Sequence, residues 1–262
     1  MSNPSTMPSK AEKRGFFGWF AGSSPRASAC VPEGIRVYAV GDIHGCASQL
    51  DSLLEAIEAD AAGWPSEKHL IFLGDYCDRG PDSKGVIDRL LSPRANFVTC
   101  HLRGNHDQVI LDFLEDPSIY RSWRGFGAQE TLMSYGVSPP RFDDDGAFAV
   151  ARDRFAAALP PSHLRFLRNL QYSARIGDYF FVHAGVRPGV KLEDQTPEDL
   201  LWIRDEFLMS TNNFGAVVVH GHTPGDRPLR RENRIALDTG VYATGHLAAV
   251  VLDGVSCRFL VT

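Results

Sequence analysis

Five apolar runs in this chain each stop at a glycine-flanked cluster of polar residues. "VYAV" leads to Asp42 and His44, "LIFL" to Asp75, Asp78 and Arg79, "FVTCHL" to Arg103, Asn105 and His106, "YFFV" to His183, and "AVVV" to His220 and His222. Short runs rich in Val, Ile, Phe and Tyr read as buried strands. In an open α/β sheet the carboxyl ends of the strands lie along one edge, where ligands bind. The pattern therefore predicts that all five clusters meet in one place.

The intervening segments suit that arrangement. "CASQLDSLLEAIEAD" sets Cys46, Leu50, Leu53, Leu54 and Ile57 on one helical face, and "PDSKGVIDRLL" offers Asp82 or Ser83 as a cap with Val86, Ile87, Leu90 and Leu91 turned inward. "NHDQVILDFLE" reads as a third helix. Strands "IRVYAV", "HLIFLG" and "NFVTCHL" alternating with these helices predict parallel βαβ units. Residues 116–176 break the rhythm with "RSWRGFGAQETLMSYG", an acidic "DDDG" turn and two helices expected near 148–158 and 162–170, so they read as a helical insert. "DYFFVHAG", "AVVVHGHT", "NRIALDTG", "LAAVVLDG" and "VSCRFLVT" make the second half strand-rich, with a "DG" turn joining the last two. The expected fold is α/β, two packed β-sheets flanked by helices.

A chain of 262 residues, 44% of them apolar, can bury a sizeable core. Residues 1–34, rich in Ser, Pro, Ala, Gly and Lys, read as a disordered tail, leaving 35–262 as the catalytic domain. The tail carries one aromatic island, Phe16, Phe17, Trp19 and Phe20, beside Lys10, Lys13 and Arg14. An anchor on a partner or membrane surface is one reading; local packing within a tail is favoured, because so short an island buries little area.

A net charge of −5 and a pI near 6.0 give no general reason to bind nucleic acid or an anionic membrane. An anionic substrate must then be held by local charge. Five cysteines (Cys30, Cys46, Cys77, Cys100, Cys257), an odd number without a C-x-x-C pair, read as reduced thiols of a cytoplasmic protein. No apolar stretch reaches the length of a membrane span.

Each polar cluster has a modest explanation by itself: a glycine turn for "GDIHG", an N-cap for Asn105, surface loops for "HAG" and "HGH". Five independent turns have no reason to collect Asp, His and Asn together. The inventory Asp42, His44, Asp75, Asn105, His183 and His222 offers oxygen and imidazole ligands without a thiolate, which suits Mn²⁺, iron or Zn²⁺. Six ligands exceed what one open catalytic ion needs, and two ions sharing a carboxylate use them economically.

The ordered set "GDIHG", "GDYCDRGPDS", "RGNHD", "HAG" and "HGHTP" resembles the phosphoprotein phosphatases, the two-metal serine/threonine phosphatases of the calcineurin-like metallophosphoesterase superfamily, and among them the compact bacterial and phage branch. The likeness covers about residues 35–245. It implies a four-layer sandwich and two divalent ions per chain, Mn²⁺ first, with iron or zinc as alternatives. Asp42 and His44 would hold one ion, Asn105, His183 and His222 the other, and Asp75 would bridge them. The family's chemistry is direct in-line hydrolysis by a bridging hydroxide. His106 would be the general acid or would orient the nucleophile, with Asp78 holding its imidazole. Arg79, Arg103 and Arg204 match the arginines that grip phosphate.

Strand alternation turns His220 away from His222, making it a neighbour and not a ligand, and Cys77 reads as a small residue filling a turn. Two departures from the eukaryotic pattern stand out: Asp107 where Glu is common, and "LDTGVYATG" in place of a long C-terminal loop with its tyrosine. Regulatory-subunit binding and toxin sensitivity are therefore not carried over. The implied substrate is a phosphoserine or phosphothreonine protein, with phosphotyrosine or a small phosphate ester also open. Bis(5'-nucleosyl)-tetraphosphate hydrolysis is the rival; symmetrical diadenosine tetraphosphatases carry Gln at the position of His44, which favours the phosphatase. A non-catalytic scaffold would lack ligands or His106, and none is missing.

Overall fold

The computed structural model describes residues 29–262. Along the chain run β1 (Ile35–Val40), α1 (Ala47–Ala61), β2 (Glu67–Phe72), α2 (Ser83–Leu91), β3 (Val98–His101) and α3 (Asn105–Glu115). Then follow α4 (Tyr120–Trp123), α5 (Ala128–Ser134), α6 (Asp145–Ala158) and α7 (Pro161–Arg168), and after them β4 (Ser173–Ile176) and β5 (Tyr179–Val182). The chain ends with α8 (Pro197–Trp202), α9 (Asp205–Leu208), β6 (Val217–His220), β7 (Leu229–Arg230), β8 (Arg234–Ala236), α10 (Val241–Thr244), β9 (Ala248–Asp253) and β10 (Ser256–Val261).

The strands form two five-stranded mixed sheets, ordered β10-β9-β1-β2-β3 and β4-β5-β6-β8-β7. The parallel pairs β1–β2 and β2–β3 are the expected βαβ units; in the second sheet β5–β6, joined through α8 and α9, and β6–β8, joined without a helix, are also parallel. Strand alternation builds the layers. In β1, Tyr38 and Val40 face the helices with Leu50, Leu53, Phe72 and Phe113, while Val37 and Ala39 face Phe181, Val219 and Ile235 of the other sheet. On the far side Phe180, Val182 and Val218 pack under Leu200 and Phe207 of α8 and α9. Helices, sheet, sheet and helices make the four-layer sandwich.

Four expectations change in detail. β9 and β10 join the first sheet, antiparallel through β1, and not the second. β9 is buried on both faces, so its apolar run "AAVVL" suits a central strand of either sheet. Residues 173–176, placed in the helical insert, are an edge strand of the second sheet. Leu91 is exposed at the end of α2, because the helix stops there at Ser92. Residues 29–34, placed in the tail, pack on the body: Val31 is buried and donates its N–H to Gly254 O (3.0 Å), and Cys30 N donates to Asp178 Oδ2 (3.0 Å). The aromatic island at 15–22 lies outside the described residues. All five cysteines are unpaired. Among the described residues no helix is long and apolar enough to cross a membrane.

Candidate metal centre

The carboxyl ends of β1, β2, β3, β5 and β6 do converge. Asp75 sits in the middle: its Oδ2 lies 3.4 Å from His183 Nε2, 3.6 Å from His44 Nε2 and 3.9 Å from His106 Nε2. Two groups of ligand atoms, each within 4.8 Å of one another, share this carboxylate: His44, Asp75 and His106, and Asp75, His183 and His222. Asn105 Oδ1 joins the second, 2.9 Å from His183 Nε2 and 2.8 Å from His222 Nδ1. Asp42 reaches the same place from β1, accepting the His222 N–H on Oδ2 (3.0 Å).

The donor set fits a cation. Burial pulls His44 and His222 down to about 3 and His183 well below the usual imidazole range, so all three are neutral. His183 Nδ1 donates to Leu73 O (3.0 Å) and His44 Nδ1 to Cys77 O (2.9 Å), which fixes the tautomers and leaves both Nε2 lone pairs turned toward oxygen acceptors. Acceptors facing acceptors repel unless a cation stands among them. Asp42 Oδ1 and His222 Nε2 are buried without a hydrogen-bond partner. Burial and neighbouring carboxylates push Asp42 up, and burial lifts Asp75 to about 6 despite His106; a dication in their midst reverses that push.

The backbone is bent to make this possible. His44, Asp75, Asp78, Arg79 and His222 all have positive φ (45°, 53°, 71°, 68° and 65°), the only described non-glycine residues that do. Such conformations cost free energy and persist where the surroundings over-determine them. At Asp75 the clamp is Asp107, fully buried, whose Oδ2 accepts the N–H groups of Asp75 and Gly104 (both 2.9 Å) and whose Oδ1 accepts that of Tyr76 (3.0 Å). Burial and Asp75 raise its pKa to about 8, while the Gly104 and Tyr76 donors pull it down. Two of the motif glycines are explained by close approach: a Cβ on Gly104 would meet Asp75 Oδ1 at 2.0 Å, and one on Gly221 would meet Asp42 Oδ1 at 1.9 Å.

His106 Nδ1 donates to Asp78 Oδ2 (2.7 Å). Burial lowers the His106 pKa, but the charges of Asp75 and Asp78 outweigh it and lift it to about 9, opposite in direction to the other three imidazoles; a dication beside Asp75 offsets the Asp75 part of that lift. Arg79 is exposed, its guanidinium 5.3 Å from the Tyr242 ring, which in turn meets His44 edge-on (5.4 Å). Arg204 is also exposed, and its charge bears on both His222 and Asp238.

Arg103 is shared between the site and the insert. Its Nη1 donates to Gln108 Oε1 (2.6 Å) and its Nη2 to the carbonyls of Leu167 and Arg168 (3.1 and 2.9 Å), which ties β3 to the end of α7, while its Nε is buried without a hydrogen-bond partner. His220 packs edge-on against Phe207 (4.9 Å), away from the ligand cluster.

Several site residues escaped the sequence reading. Asp238, buried behind Asp42, ends the run "RIAL" before a glycine, the same signature that marked the other five clusters. Tyr242 follows on α10, so a tyrosine does stand at the site even without a long C-terminal loop. Trp123 and Thr131 reach Asp78 from the helical insert, and nothing in their local sequence signals it.

A fold of two packed sheets with a shared-carboxylate ligand cluster at the strand ends is that of the metallophosphoesterases. The chain belongs to the calcineurin-like phosphoesterase family, whose model matches residues 35–249. It is 43% identical to serine/threonine-protein phosphatase 1 of Salmonella typhimurium over 217 residues, covering 81% of this chain and 89% of that protein. It is 26% identical to the asymmetrical bis(5'-nucleosyl)-tetraphosphatase PrpE of Anoxybacillus flavithermus over 230 residues, covering 80% and 88%. A crystal structure of a candidate diadenosine tetraphosphatase superposes with a TM-score of 0.61 at 22% identity, covering 90% of this chain and 98% of that one, which shows the shared fold.

Proposed function

We propose that the protein is a metal-dependent phosphomonoesterase acting on phosphoserine or phosphothreonine in proteins. The His106–Asp78 pair beside Asp75 carries this reading. Serine leaves as a strongly basic alkoxide and needs a proton from a positioned acid. A phosphoanhydride leaves as a stabilised phosphate oxygen and needs little help. The 43% identity to a serine/threonine-protein phosphatase supports the same choice.

Asp42 and His44 would hold one divalent ion, Asn105, His183 and His222 a second, and Asp75 both; Mn²⁺ suits the oxygen and imidazole set, with iron or zinc as alternatives. When bound, the ions supply Lewis-acid charge and lower the pKa of water. Arg79 and Arg204 would bind the phosphate oxygens. The water oxygen forms the new P–O bond as the ester P–O bond breaks, and His106 gives its proton to the departing oxygen. The local arginines supply the positive charge that the acidic chain lacks.

The alternative is bis(5'-nucleosyl)-tetraphosphate hydrolysis at the same centre, which the similarity to PrpE favours. Comparing kcat/KM for a phosphoserine peptide, a phosphotyrosine peptide and diadenosine tetraphosphate in Mn²⁺ decides between them. The phosphoserine peptide should lead; dominance of the dinucleotide would transfer the assignment to the alternative.

A further inference from the structure

Asp78 is completely buried, as are the groups that surround it. Its Oδ2 accepts from His106 Nδ1 (2.7 Å) and from Trp123 Nε1 (2.8 Å). Its Oδ1 accepts from Thr131 Oγ1 (2.6 Å), and its own N–H faces Thr131 Oγ1 (2.9 Å) and Ser83 Oγ (3.0 Å). A carboxylate turns easily about its last torsion. Donors from two further elements remove that freedom. Trp123 cannot rely on α4, a single four-residue turn; its ring is held by Phe113 (5.0 Å) and Phe155 (6.3 Å). Thr131 sits on α5, with Ser83 Oγ 3.0 Å from its hydroxyl.

We infer that Trp123 and Thr131 are positioning residues for His106, so that the helical insert fixes the orientation of the imidazole through Asp78. Nothing in the fold of the two sheets requires an indole N–H and a threonine hydroxyl to meet this one carboxylate. Merely satisfying a buried carboxylate would stabilise the fold; holding it in one plane also aims the imidazole that it carries. The inference rests on the catalytic importance of His106 proposed above, and it holds whether that imidazole protonates the leaving oxygen or orients the nucleophile.

The test is a mutant cycle with His106→Asn. Trp123→Phe keeps the ring packing and removes the N–H, and Thr131→Val removes the hydroxyl at constant shape. Each should lower kcat on a phosphoserine peptide about tenfold with KM and metal content unchanged, the low end of what outer partners of a site contribute. Thr131→Ser should restore the rate. In the His106→Asn background the same changes should cost less than about twofold, because residues acting as a unit are not additive. Equal losses in both backgrounds, or no loss in a folded Trp123→Phe and Thr131→Val, would overturn the positioning role. If His106→Asn costs the same on the phosphoserine peptide as on nitrophenyl phosphate, the acid role fails, and the coupling still decides the roles of Trp123 and Thr131.

Discussion

Asp107→Ala should be among the most damaging substitutions outside the candidate ligand set. Its carboxylate accepts three buried N–H groups, those of Asp75, Tyr76 and Gly104. Leaving a buried donor without an acceptor costs about 1–3 kcal/mol. Three such donors would cost about 3–9 kcal/mol; entry of water into the space left by the side chain favours the low end, about 3 kcal/mol. That is a large part of the 5–15 kcal/mol that typically separates folded from unfolded chains, and it corresponds to about 6–12 °C in Tm for a domain of this size. Asp107→Asn keeps one acceptor oxygen for two of the donors and should cost about 1–3 kcal/mol.

The assay is denaturant unfolding in chelator, since bound metal adds its own stabilisation. Metal content of the untreated protein is measured alongside. With the clamp gone, Asp75 is free to leave its positive-φ conformation, so the variant should hold fewer metals as well as unfold earlier. A loss below about 1 kcal/mol in the chelated Asp107→Ala protein, with metal content unchanged, would refute the claim that this carboxylate sustains the strained turn.

Asp75→Asn should weaken both ion sites at once and abolish turnover, with fewer metals retained by elemental analysis; near-normal turnover and metal content would end the bridging assignment. Arg204→Ala should raise KM and weaken inhibition by inorganic phosphate while leaving metal content alone; undiminished phosphate inhibition would place Arg204 outside the substrate site. Deleting residues 1–28 should preserve kcat on a small aryl phosphate, whereas deleting 1–34 removes buried Val31 and should lower the unfolding midpoint; equal midpoints would show that this packing contributes nothing. Asp199, held by Arg187 and Thr196, has its pKa lowered, so its contribution is complete above the ordinary carboxylate value near 3.9 and is lost as pH falls through the depressed one. The effect is small because Arg187 is half exposed. The difference in denaturant midpoint between the parent and Asp199→Asn should shrink on acidification from pH 7, and a pH-independent difference would rule the pair out.

What was legible in the sequence is what a strand end delivers by itself. Asp42, His44, Asp75, Asn105, His106, His183 and His222 each lie within a few residues of an apolar run, and the parallel topology does the rest. Groups that arrive from elsewhere leave no such mark. Trp123 and Thr131 lie 45 and 53 residues from Asp78, in short turns whose composition explains only their packing. The placement of β9 was hidden for a related reason: a strand buried on both faces reads the same in either sheet, and its partner β1 lies more than two hundred residues away.

Arg103 shows why adjacency to a motif does not fix direction. It sits between Leu102 and Gly104, two residues before the candidate ligand Asn105, and the motif alone makes it look like a phosphate arginine. Two main-chain contacts draw it toward the insert as well. Leu102 pairs with Gln171 as an isolated bridge, and Arg103 N donates to Gln171 O (2.7 Å), so the segment leaving the insert runs alongside it. The guanidinium lies 5.2 Å from the Tyr172 ring and caps the last carbonyls of α7, where a cation is favourable against the helix dipole. The same three-residue motif thus serves two ends. Gly104 admits Asp75, Asn105 joins the candidate ligand cluster, and Arg103 fastens the helical insert that carries the partners of Asp78.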